Sequence, residues 1–134
     1  QSPVPVLVCR PGEAVAGGRV AVVLTADDLT PAGRRGTLLA FEVARRAARQ
    51  AQVPRVILTD RDPARVRTAV DELGVPDDVP ILGVDRVPTT LAAELEPGDL
   101  VVAAVPPTPA ALRGEATDLA RAAPGHSVVV CVPR

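Results

Sequence analysis

The 134 residues contain no lysine, tryptophan, tyrosine or methionine, and a single phenylalanine, Phe41. Each gap removes a class of function. Without lysine there is no Walker-type phosphate-binding motif. With no aromatic side chain beyond Phe41 there is no platform on which successive nucleobases stack. Acidic and basic residues nearly balance at a formal net charge of -1, so bulk charge does not draw in a polyanion and a nucleic-acid partner is not expected. No run of 18 apolar residues is present to span a bilayer, and no signal-peptide pattern opens the chain. Its first residue is Gln1 rather than Met, which suggests a piece of a larger protein. With one histidine, His126, and two cysteines, Cys9 and Cys131, no cluster has metal-ligand spacing, so no metal site is expected. Both cysteines sit in valine-rich runs; a disulfide is unnecessary at this size, and buried, inert thiols are expected. His126, beside Pro124 and Gly125, reads as a solvated turn residue. Gly-x-Ser-x-Gly and Gly-x-Gly-x-x-Gly are both absent, so no recognised catalytic motif is present and no enzyme is expected.

What remains is a globular composition, 47% hydrophobic and 23% charged, in a length suited to one domain. Valine, leucine, isoleucine and alanine must build the core. The bias to arginine, alanine and proline reads as a GC-rich bacterial coding background.

Six short aliphatic runs, at residues 6–9, 20–24, 56–58, 81–84, 100–105 and 128–132, are continuous rather than alternating, as in strands covered on both faces. Helical patterns lie between most of them. Thr30 and Pro31 read as N-cap and first helical residue of the longest, whose Leu39, Phe41, Val43, Ala44, Ala47 and Ala48 share one arc, opposite Glu42, Arg45, Arg46 and Arg49. That basic arc resembles an anion site but reads more simply as a solvated helix face. Asp62 and Pro63 open a second helix with a Val66, Ala69, Val70, Leu73 stripe and a Gly74 stop. A short helix is expected near residues 90–95. A fourth opens at Thr108 and Pro109 and carries Leu112, Ala116, Leu119, Ala120 and Ala123. Leu39, Phe41, Val66, Val70, Leu73 and Leu119 are expected to be buried.

This order predicts an α/β fold: a doubly wound, mainly parallel sheet of about five strands with helices on both faces. Residues 1–18 form an N-terminal strand and linker, and residues 19–134 the α/β domain. The N-terminal run is expected as an extra edge strand, in the same sheet or exchanged with a second copy, and an exposed apolar edge favours a homodimer. Ligands of such sheets sit beyond the carboxyl ends of the strands at the switch in strand order. That directs attention to residues 25–28, Thr59 and Asp60, Asp85 and Arg86, and Pro106 and Pro107. Asp27 and Asp28 together suit a hard cation or acid–base work. No third acidic ligand is fixed nearby, and helix capping accounts for both.

Residues 19–133 resemble the universal stress protein domain. Residues 20–24 are similar to its first strand, the Gly-Asp-Leu-Val-Val at 98–102 to its fourth, and residues 118–124 with 127–130 to its last helix and strand. In nucleotide-binding members an Asp ends the first strand, and a loop of spaced glycines followed by Gly-Ser or Gly-Thr covers the phosphates. Thr25 stands at that Asp position here. The loop after residue 105 runs Pro106-Pro107-Thr108-Pro109, where proline removes amide donors that phosphate needs. Gly114 matches the last family glycine, but Glu115 follows and repels phosphate. The resemblance therefore implies a vestigial nucleotide cleft at Thr25, Ala26, Asp27, Val105 and Gly114, with no bound cofactor. Degenerate domains of this kind resemble the cytosolic C-terminal regions of bacterial cation/proton antiporters and related permeases. That implies a non-catalytic regulatory or assembly domain at the cytoplasmic face of the bacterial inner membrane, partnered by the transmembrane domain of its own parent chain. A free-standing ATP-binding universal stress protein is the alternative.

Overall fold

The computed structural model describes residues 6–10, 18–24, 33–75, 79–84, 94–96, 98–105, 114, 118, 121 and 126–132. They form six strands and two complete helices in the order β1 (Val6–Arg10), β2 (Val20–Leu24), α1 (Arg34–Ala51), β3 (Arg55–Thr59), α2 (Pro63–Glu72), β4 (Ile81–Gly83), β5 (Leu100–Ala104) and β6 (Ser127–Val132). The strands make one sheet ordered β1-β6-β5-β2-β3-β4. Strands β2 to β6 are parallel, and β1 joins the edge of β6 antiparallel, with Val8 opposite Val130. The expected Rossmann-like α/β architecture is present, and its added N-terminal strand lies in the sheet of its own chain.

Continuous aliphatic strands form because both faces of this sheet are buried. Val20, Val22, Leu24, Ile57, Val102 and Cys131 point to one face and pack with Phe41, Ala44 and Ala48 of α1 and Val66 and Val70 of α2. Ala21, Val23, Val56, Leu58, Val101, Val128 and Val130 fill the other, where Leu95 is packed against them. The steps β2 to β3 and β3 to β4 run one way along the sheet, which places α1 and α2 on the same face through right-handed crossovers. The step from β5 to β6 runs the opposite way, so the same rule carries its connection over the second face. That connection includes Gly114, Asp118 and Arg121, all helical and all exposed, at the spacing of one helix side.

Helix ends show how local chemistry sets the elements. The Asp62 side chain accepts from the Ala64 amide at 3.1 Å, and Pro63 is the first helical residue of α2. Gly74, at φ +81°, follows its end. Helix α1 is described from Arg34 with Gly33 before it, and the expected start at Thr30 and Pro31 lies outside the described residues. No side chain caps it, but the Thr37 hydroxyl, buried one turn in, donates to the Gly33 carbonyl at 3.0 Å. Leu39 and Leu73 are only half-buried, Leu39 flanking the buried stripe and Leu73 just past the last turn of α2. Phe41, Val66 and Val70 are buried as expected, and Leu119 lies outside the described residues. On the outer side of α1, Glu42 accepts from Arg45 and Arg46, each at 2.8 Å. Hydrogen bonds from Arg45 first, then Arg46, hold its carboxyl down at about 2.

Candidate functional site

Strand order reverses between β2 and β5, which run side by side with Val23 opposite Ala103. Their carboxyl ends therefore define the crevice where a sheet of this type takes a ligand. Leu24, buried, ends β2 there, and Val105, also buried, follows β5. Thr59 closes β3, and Val84 follows β4.

Among the described residues, two backbone amides at this edge are engaged. The Val105 amide donates to the Cys131 carbonyl at 3.0 Å, and the Val84 amide donates to the Thr59 carbonyl at 2.8 Å. Thr59 is buried, and its hydroxyl accepts from the Arg61 amide at 3.1 Å. Asp60 lies 3.4 Å from the Arg61 guanidinium. An anion arriving here would compete with sheet and turn hydrogen bonds for its donors.

Of the residues expected to line the cleft, Val105 stands at the switch point. Thr25, Ala26 and Asp27, like Asp28, Asp85, Arg86, Pro106 and Pro107, lie outside the described residues. Gly114 is helical and exposed, and a Cβ built on it would meet nothing within 4 Å. Close packing therefore does not require glycine there. Among the described residues, no group of three or more His, Cys, Asp and Glu side chains is placed to hold a metal ion. Cys131 is a buried thiol.

The most elaborate polar cluster sits at the opposite, amino-terminal edge. Asp99, just before β5, is 1% exposed. One carboxylate oxygen accepts from the Arg19 amide at 2.7 Å, and the other accepts from Arg19 Nη2 and from the Glu96 amide, both at 2.8 Å. Arg19 Nη2 also donates to the Glu94 carbonyl at 3.0 Å, and its Nε lies 3.6 Å from Glu96. His126 Nδ1 donates to the Asp99 carbonyl at 3.1 Å, which ties the start of β6 into the same cluster. The hydrogen bond to Asp99 is the main reason the Arg19 guanidinium is raised above its ordinary value. The Asp99 carboxylate is buried and taken up by Arg19 and two backbone amides, while Glu96 lies at the exposed rim, so the cluster serves as an anchor for the fold. It also gives His126 a partner in place of the solvated turn expected for it.

Sequence patterns gave no warning of this anchor, although one signal exists. Gly18-Arg19 precedes β2 and Gly98-Asp99 precedes β5, and the register sets Val20 opposite Leu100. Two Gly-charged pairs of opposite sign thus stand before two valine-rich strands.

No protein-family model matches the chain, and no curated protein matches it.

Proposed function

We propose that this chain is a non-catalytic regulatory or assembly domain of a membrane cation/proton antiporter or related transporter, joined to the transmembrane part of its own parent chain. It works as a homodimer at the cytoplasmic face of the bacterial inner membrane. One observation carries the non-catalytic part. At the switch point the Val105 amide is bonded to Cys131, and three of the next four residues, Pro106, Pro107 and Pro109, have no N–H to offer. A nucleotide-binding sheet needs free amides at this place for its phosphates. Thr25, Ala26, Asp27, Val105 and Gly114 are then what is left of the cleft, with no cofactor in it. The homodimer is supported by β1, an apolar strand with its outer side at the sheet edge. The transporter assignment is supported by the resemblance of residues 98–102, 118–124 and 127–130 to the universal stress protein domain, degenerate forms of which resemble the C-terminal regions of antiporters.

The parent gene tests the transporter assignment. Its reading frame is expected to encode several hydrophobic segments of about 20 residues each ahead of Gln1. A native gene that encodes no such segment contradicts it.

A further inference from the structure

We propose that the outer face of α1 is a docking surface for an anionic lipid bilayer. A helix turns by about 100° per residue. On that geometry Arg34, Arg35, Arg45, Arg46 and Arg49, all exposed, fall within an arc of about 120°. Glu42 is the one acidic residue in the arc. Arg35 makes an interaction of its own; the other four arginines against one glutamate leave this face at +3, in a chain whose formal net charge is -1. The positive charge is therefore local. Helix α2, on the same layer, does not extend it: its exposed Arg65 is offset by exposed Asp71 and Glu72.

A second observation adds an apolar contact to the charged face. Leu38 is 40% exposed and is one of two exposed large hydrophobic residues among those described. The helical turn sets it between Arg34, Arg45 and Arg49. An apolar side chain ringed by guanidinium groups matches the boundary between phosphate headgroups and acyl chains. Guanidinium also meets phosphate through paired hydrogen bonds. The face belongs to a helix of 18 residues, about 27 Å long, packed on β2 and β5, so its exposed side can lie along a plane of headgroups. The charge and Leu38 suit a lipid surface, and the choice of a lipid over an acidic protein rests in addition on the membrane reading above.

Co-sedimentation of the 134-residue chain with vesicles tests the inference. Binding is expected to phosphatidylcholine vesicles containing phosphatidylglycerol, to weaken as salt screens the charges, and to be absent on phosphatidylcholine alone. The triple variant Arg34→Gln, Arg45→Gln, Arg49→Gln should lose roughly tenfold to a hundredfold in partitioning, while Arg65→Gln on α2 should change nothing. Far-UV circular dichroism confirms that each variant is folded. The inference is overturned by no binding at low salt, by equal binding to phosphatidylcholine alone, or by a folded triple variant that binds like the parent. Competition by soluble polyglutamate as effective as that by anionic vesicles would assign the face to an acidic protein instead, and also overturns it. The gene and the vesicles give separate answers. Vesicle binding with no upstream spans removes the transporter reading alone, and upstream spans without vesicle binding remove this inference alone.

Discussion

Asp99→Ala is expected to lower the free energy of unfolding by about 3–5 kcal/mol, the usual loss when one member of a buried ion pair is removed. That is a large share of a typical domain stability of ~5–15 kcal/mol. The reason is the number of groups left stranded. The change removes the acceptor for the Arg19 guanidinium, whose side chain is 16% exposed, and for the backbone amides of Arg19 and Glu96. Arg19→Met should cost less, because the Asp99 carboxylate keeps both amides. The order of the two losses is thus diagnostic: a carboxylate that mainly satisfies backbone donors is worse to lose than its cation. Urea unfolding followed by far-UV circular dichroism measures both, since the chain has no Trp or Tyr to report by fluorescence. An Asp99→Ala variant within about 1 kcal/mol of the parent would show that the anchor does not hold β2 to β5 as the geometry requires.

Gly18→Ala is expected to be comparably severe, at about 3–5 kcal/mol or outright failure to fold, from steric rather than electrostatic causes. A Cβ on Gly18 would stand 2.3 Å from the Gly98 carbonyl carbon and 2.4 Å from its oxygen, at a φ of +89°. Backbone cannot yield as a flexible side-chain tip can, so the loops before β2 and β5 would have to separate. That separation would break the Arg19–Asp99 contacts beside them. Gly74→Ala is the matched control. It has a similar φ of +81° but nothing within 4 Å of the added carbon, so only the left-handed backbone penalty of about 1–2 kcal/mol remains. Thermal unfolding should rank Gly18→Ala well below Gly74→Ala. Equal losses would mean that backbone conformation alone, not the close approach to Gly98, governs Gly18.

Much of the fold was legible because burial on both faces leaves a plain mark. The runs at residues 20–24 and 100–105 are aliphatic without alternation, and both became central strands. Asp62 and Pro63 opened α2 as their chemistry dictates, since cap and first turn are local matters. The first turn of α1 carries a contact that periodicity does not show. Thr30 and Pro31 carry a local start signal but lie outside the described residues, and the Thr37 hydroxyl, which returns to the Gly33 carbonyl, was not anticipated. The switch-point crevice could be placed from topology alone, and Val105 stands there. The Arg19–Asp99 anchor could not, because its members are 80 residues apart in sequence. Their meeting depends on β5 lying beside β2, and strand order is not encoded in periodicity.

The central claim is the proposal that the switch point of this sheet holds no nucleotide. Differential scanning calorimetry of the 134-residue chain with magnesium and ATP measures that directly. At about 5 mM ATP, a site with a dissociation constant near ~50 µM would stabilise the fold by about 2.7 kcal/mol and raise the unfolding midpoint by several degrees. The expected result is no shift beyond about 1 °C, less than half of what such a site would produce. A saturable rise of several degrees with ATP, absent with inorganic phosphate at the same ionic strength, would contradict the account and restore the nucleotide to the cleft.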